Sequence, residues 1–285
     1  MDVQMDLPYL RQWIGRDEYS DDILTPALAA RFHATLGFGG EPPQIGDAAP
    51  GLIHFCLCQP AVPMDGLSED GHPSRGGFLP PVPLPRRMWA ASEIAFPGAL
   101  RVGDTIRRQS RVADITVKSG RSGTLCFVMV DHEIMANGAV AITERQTIVY
   151  RGAPGKADTQ PVKPPVPVPI GVTTEMIDVS PALLFRYSAL TFNAHRIHYD
   201  LPYAVETEGY AGLVVHGPLQ ATLLIQLAAR CRDGAMPAAF SFRGMAPAIG
   251  GQRLGVHAGA VQDDAVELWT APAGGAVAMR ATARW

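Results

Sequence analysis

Pro218-Leu219-Gln220-Ala221-Thr222-Leu223-Leu224-Ile225-Gln226-Leu227-Ala228-Ala229-Arg230-Cys231-Arg232 is the stretch that decides the architecture. Leu219, Leu223, Leu224, Leu227 and Ala228 fall on one helical face, while Ala221, Ile225 and Ala229 leave little polar surface elsewhere. A helix that is apolar nearly all round is buried rather than laid on a surface. Pro218 suits the first helical position, having no amide hydrogen to leave unsatisfied, and Gly217 suits the cap before it. Something must wrap this helix on most sides.

The chain around it supplies strands. Ala238–Gly244, Arg253–Val261, Ala265–Thr270 and Ala276–Trp285 follow the helix and read as strands. The first half repeats the order: a helix over Asp22–Leu36, a Gly- and Pro-rich loop from Gly66 to Pro85, then strands Met88–Phe96, Thr105–Val117, Thr124–Met135 and Ala139–Tyr150. Turn signals at Pro97-Gly98, Ser119-Gly120 and Asn137-Gly138 separate them. Phe96-Pro97 leads to Gly103-Asp104 in one half, and Phe242 and Pro247 lead to Gly250-Gly251-Gln252 in the other. The pattern predicts a duplicated α+β unit, each a curved antiparallel sheet around a helix, the tandem or double hot-dog fold. A proline-rich stretch from Arg151 to Gly171 reads as a semi-rigid strap. The expected boundaries are therefore 1–150, 151–171 and 172–285.

Composition narrows the function classes. The chain has 285 residues, 47% hydrophobic and 18% charged, enough for a sizeable core. With 24 basic and 27 acidic residues it lacks the basic stripe of a nucleic-acid or anionic-membrane binder. The acidic N-terminal segment is unlike a signal peptide, and Leu213–Ala229 is broken by His216, Gly217, Pro218, Gln220 and Gln226, so no membrane span is expected. Cys56, Cys58, Cys126 and Cys231 are expected to be reduced, mostly buried thiols of a cytoplasmic protein. Cys56 and Cys58 lie in a strand-like run, Ile53–Cys58, and a zinc pair would need a second pair.

The densest reactive cluster is Asn193-Ala194-His195-Arg196-Ile197-His198-Tyr199-Asp200, with Val215-His216-Gly217-Pro218 downstream at the entrance to the buried helix. Amide hydrogens at a helix start point outward with the positive end of the dipole behind them. An oxygen gaining negative charge is stabilised there. A histidine and such an amide beside one cavity give a base and an oxyanion site. Asp200 is expected to cap a short helix, Leu201–Glu208, ended by Gly209.

Leu190–Ala204 and Gly209–Gly217 resemble the hydratase motif of MaoC-like enoyl-thioester hydratases. Pro85-Arg86-Arg87-Met88-Trp89 and Lys118-Ser119-Gly120-Arg121-Ser122-Gly123 are similar to the silent first hot dog of a narrower branch. That branch holds the mesaconyl-C4-CoA and itaconyl-CoA hydratases and the type 2 hydroxyacyl-thioester dehydratases. The resemblance implies addition or removal of water across the 2,3 double bond of an acyl-CoA thioester. It places the water-holding pair on Asn193 and His198 and the oxyanion donor on Gly217. The wider family has aspartate where this chain has Asn193, and an asparagine amide has no proton to exchange at neutral pH. It can still orient water while His198 both takes and returns a proton.

Further residues are expected around the substrate: Arg196 as a bidentate partner for a second carboxylate, with His195 beside it, and His216 as a supporting residue. Arg86 and Arg87 are expected to reach the acyl pocket, and Lys118, Arg121 and Arg243 the coenzyme A phosphates. No metal and no cofactor beyond the substrate's own coenzyme A is implied, and a homodimer is expected. The main reading is a hydro-lyase for a short branched dicarboxylyl-CoA; the alternative within the family is the (3R)-hydroxyacyl-thioester dehydratase of fatty-acid synthesis. Two readings of other classes stand beside it. One is a non-catalytic acyl-thioester binder. The other is a non-haem iron oxygenase using His198, Asp200 and His257.

Overall fold

The computed structural model describes residues 5–120, 123–152, 168–169 and 171–285. The first half runs α1 (Leu7–Leu10), β1 (Asp17–Ile23), α2 (Pro26–Leu36), β2 (Arg86–Ala95), β3 (Thr105–Gly120), β4 (Gly123–Ala136) and β5 (Ala139–Arg151). The second runs β6 (Thr173–Asp178), α3 (Pro181–Leu190), α4 (Gly217–Arg230), β7 (Ala239–Gly244), β8 (Arg253–Ala258), β9 (Ala265–Pro272) and β10 (Met279–Arg284). The ten strands form one antiparallel sheet ordered β1-β3-β4-β5-β2-β7-β10-β9-β8-β6. Read outward from the β2·β7 seam, each half has the same order. Its second strand lies at the seam and its first at the outer edge. The tandem hot-dog arrangement expected from the sequence is the observed one.

The duplication shows in chemistry too. Thr25 caps α2 by accepting the Leu28 N–H at 3.1 Å, and Ser180 caps α3 by accepting that of Leu183 at 3.2 Å. A proline follows each cap, at the position where a missing amide hydrogen costs nothing. In the second half α4 sits against β7 to β10 with Leu219, Ala221, Leu224, Ile225, Leu227 and Ala228 fully enclosed. Gln220 tolerates burial because its carbonyl oxygen accepts the Thr270 hydroxyl at 2.6 Å.

Three sequence expectations need correction. The helix expected over Asp22–Leu36 begins at Pro26, since Thr25 caps it and Asp22 and Ile23 belong to β1. Ile53–Cys58 is not a strand: Ile53–Cys56 form a buried 3-10 turn, with Leu52 and Cys58 at positive φ on either side. That turn stands between α2 and β2 where the other half carries α4, so the first half has a single turn in place of the central helix. The glycine- and proline-rich segment does not loop away. It folds back onto the second half. The strap expected over 151–171 falls mostly outside the described residues.

The seam leaves an opening. β2 pairs with β5 along most of its length, but with β7 only over Ala91–Ala95. The stretch Arg86–Ala90 therefore has a free edge, which passes the start of α4: the Trp89 carbonyl would lie 3.7 Å from a Cβ built on Gly217.

Candidate active site

The site forms where that edge, the start of α4 and the segment after α3 meet. Arg196–His198 is a 3-10 turn that buries Ile197 and His198. The Val214 N–H donates to the Ile197 carbonyl at 2.9 Å, tying this turn to the entry of α4. His198 Nδ1 donates to the Val214 carbonyl at 2.7 Å. A carbonyl can only accept, so Nδ1 carries the hydrogen and Nε2 keeps its lone pair. Burial pushes the His198 imidazole down to about 4, so it is neutral at physiological pH and can accept a proton only transiently.

His216 stacks on His198 with ring centroids 3.7 Å apart and is almost wholly buried. Its Nε2 meets Ser188 Oγ at 2.8 Å, which fixes the stack. Burial, then the neighbouring His198 and His195, hold it far below the ordinary histidine range. Asn193 uses its carbonyl oxygen to accept the His195 N–H at 2.9 Å. Its NH2 has no hydrogen-bond partner among the described residues. Gly217 opens α4, and its N–H likewise has no partner among them. A Cβ there would meet only ordinary contacts, 3.7 Å from Trp89 O and 3.8 Å from Met279 Cε.

The first half contributes residues that the sequence reading missed. Ser68–His72 is a tight turn: the Ser68 N–H donates to the His72 carbonyl at 2.7 Å, and the Gly71 N–H to the Ser68 carbonyl at 2.9 Å. It docks on the catalytic segment through the Arg196 N–H, which donates to the Asp70 carbonyl at 2.9 Å. Gly71 has φ +89°, and a Cβ there would stand 1.8 Å from the Ala194 carbonyl oxygen. Only glycine permits this approach. His72 is thereby brought 4.1 Å, centroid to centroid, from His195, which lies 5.4 Å from His198. Asp70 Oδ2 accepts from His72 Nδ1 at 2.9 Å. The only local signal was Asp70-Gly71-His72, an aspartate bonding two residues on across a glycine.

The cations sort by their partners. Arg196, expected to meet a substrate carboxylate, instead bonds Asp200 Oδ2 through Nε and Nη2, at 3.0 and 2.8 Å, and lies 4.1 Å over the Tyr203 ring. Asp200 also accepts the Tyr203 N–H at 3.2 Å, as a cap should. Arg86 pairs with Glu208 at 2.7 Å. Arg75 donates to the Val82, Leu84 and Pro85 carbonyls. Arg87 is half-buried and has no carboxylate partner among the described residues. It lies opposite Tyr150 in the sheet, on the same β2 face as Trp89. Its charge helps hold down His72 and His195, though burial is the larger cause for both.

Lys118 stands over the Phe127 ring at 5.3 Å, Arg243 is exposed on β7, and Arg121 lies outside the described residues. The iron-oxygenase alternative fails on geometry. His257 bonds Thr174 at 2.9 Å on β8, His198 Nδ1 is committed to Val214, and the Asp200 carboxylate faces Arg196. Among the described residues, the one grouping of metal-ligand types is Asp70, His72 and His195, whose donor atoms lie within 4.8 Å of one another. Two of those residues are already joined to each other by the hydrogen bond above.

Comparison with known proteins gives the family. The family model for hydroxyacyl-thioester dehydratase type 2 matches residues 51–250, and the chain belongs to that family. It is 49% identical over 237 residues to a mesaconyl-C(4)-CoA hydratase of Chloroflexus aurantiacus, covering 82% of this chain and 83% of that one. A mitochondrial hydroxyacyl-thioester dehydratase type 2 of Schizosaccharomyces pombe is 27% identical over 237 residues, 72% of this chain and 77% of that one. Among solved structures, HtdX of Mycobacterium tuberculosis superposes with a TM-score of 0.65 at 20% identity, over 94% of this chain and 98% of its own. A second M. tuberculosis protein, described as a double hotdog fold, gives 0.58 at 16% identity over 95% and 96%. Those two likenesses bear on the fold alone.

Proposed function

We propose that the protein is a hydro-lyase that adds water across the 2,3 double bond of a short branched dicarboxylyl-CoA, with mesaconyl-C4-CoA the favoured substrate. The observation that carries the reading is the neutral, buried His198, with Nε2 free, beside the open Gly217 amide at the positive end of α4. Water is held by the Asn193 amide and His198 Nε2, which takes its proton as the oxygen attacks the β-carbon. The electron pair displaced onto the thioester oxygen is stabilised at Gly217. The enolate then collapses with protonation of the α-carbon.

Arg87 supports the dicarboxylate. Like Arg75 it has no acidic partner among the described residues, but the Arg75 guanidinium is taken up by three backbone carbonyls, and a guanidinium suits a carboxylate. The resemblance to the Chloroflexus hydratase argues in the same direction. The reading includes no metal or redox cofactor, so a chelator should leave the rate unchanged. It also includes a homodimer in the cytoplasm; sedimentation would measure the first, and fractionation of the source cells the second. The test is hydration of mesaconyl-C4-CoA, itaconyl-CoA and crotonyl-CoA side by side, followed by loss of enoyl-thioester absorbance. Turnover of the dicarboxylyl substrates, with KM raised at least about tenfold by Arg87→Gln, is expected. Preference for crotonyl-CoA would favour the fatty-acyl dehydratase instead. Thioester binding without turnover would leave only the binder.

A further inference from the structure

We propose that the Asp70–His72 pair, delivered from the first half, supplies the second proton-exchanging group of this site, so that one active site is built from both hot dogs. The proposal rests on the hydratase reading above. Hydration needs one proton removed from water and one delivered to the α-carbon. His198 Nε2 can do the first. Asn193, at the position where the wider family has an acid, cannot do the second.

Asp70 is the acidic member of the histidine cluster. Burial works against its charge, but its hydrogen bond to His72 and the charge of that ring outweigh this and keep it ionised. An ionised Asp70 bonded to a protonated His72 has the net charge of one protonated carboxylic acid. The pair is thus a substitute for the missing acid, with the transferable proton on His72 Nε2, since Nδ1 is committed to Asp70. Docking makes the placement specific. The 2.9 Å bond from Arg196 to the Asp70 carbonyl and the Gly71–Ala194 approach fix this turn against the catalytic segment, and His195 lies between His72 and His198.

The step balances. A water proton passes to His198 Nε2 while the oxygen bonds the β-carbon and the π pair moves to the thioester oxygen. Protonated His72 then gives its Nε2 proton to the α-carbon as the enolate pair returns, and becomes neutral. The proton on His198 restores His72 through His195 or solvent, leaving the enzyme unchanged. The groups facing His72 are Asp70, which favours its protonated form, Arg87 and Arg75, whose charges oppose it, and the neutral rings of His195 and His198. Burial and these cations outweigh Asp70, so its pKa lies below the ordinary histidine value. The rate should therefore fall as pH rises through that value.

The test compares wild type, His72→Gln, Asp70→Asn and His198→Ala on mesaconyl-C4-CoA across pH 5 to 9, with Tm and binding of the saturated analogue methylsuccinyl-CoA as controls. The proposal expects His72→Gln to lose at least about a hundredfold in kcat with KM little changed, and to lose the basic limb of kcat/KM. Asp70→Asn should lower kcat and shift that limb to lower pH. Both variants should keep Tm and binding. His72→Gln within threefold of wild type with an unaltered profile, beside an inactive His198→Ala, would overturn the proposal and leave the hydratase reading standing. A stoichiometric metal lost on Asp70→Asn would overturn it too, by making the pair ligands. Failure of wild type on every thioester would remove the hydratase reading and this proposal together.

Discussion

At Gly217 the proposed chemistry and the fold make different demands. Glycine is not needed there for packing, because a methyl group would meet only ordinary contacts, and alanine is the better helix former by up to about 1 kcal/mol. Gly217→Ala should therefore fold with an unchanged or slightly raised Tm. Its methyl group, however, stands where a thioester oxygen must approach the amide, and loss of one oxyanion donor costs on the order of a hundredfold or more in kcat. Calorimetry and turnover on the same sample would separate the two. Equal activity would mean that the oxyanion is stabilised elsewhere. His198 teaches a second lesson at this scale. Its tautomer follows from a backbone carbonyl sixteen residues away, a partner that no sequence spacing displays.

At the scale of elements, what the sequence disclosed depended on apolar pattern. α4 was readable because nearly every side chain on it is apolar, and the long central strands because they alternate or run apolar. β1 and β6 escaped notice because their residues are mostly polar: edge strands are held by backbone pairing and leave little hydrophobic signature. α3 was missed although it opens with the same cap, proline, alanine and leucine as α2. The cluster from Asn193 to Asp200 was legible in its own segment, whereas Asp70 and His72, some 120 residues earlier in the chain, come beside it only through the docking of a loop. Gly71→Ala tests that docking. The added methyl group clashes with the Ala194 carbonyl and must accept a positive φ, so the turn has to move. Activity should fall at least about tenfold while the second-half core stays intact. An unaltered rate would show that the turn's position is irrelevant.

The whole molecule buries neutral histidines in both halves. His198 and His132 are each pushed down to about 4, chiefly by burial, and His216 further still. Their folded values lie below the unfolded one, so the unfolded chain binds more protons between about pH 6.5 and 4. Stability is intact above about pH 6.5 and is lost as pH falls through this window, by up to about 1.4 kcal/mol per pH unit for each group. Glu144, buried in the first half, adds to this lower down. Burial alone would raise its pKa, but the His54 ring 3.5 Å away, the nearby histidine charges and the hydrogen bond from Ser92 hold it below the usual carboxylate value, so its contribution disappears on protonation. Thermal unfolding should therefore show Tm flat from pH 9 to 7 and lower by roughly 10 °C at pH 4.5. A flat profile to pH 4.5 would mean that these rings are solvated. The most direct measurement of the central claim is the hydration rate of mesaconyl-C4-CoA by wild type and His198→Ala at pH 7.5. Wild type should turn the substrate over, and the variant, while still folding and binding the thioester, should lose at least about a thousandfold. A folded His198→Ala enzyme with wild-type rate would contradict it.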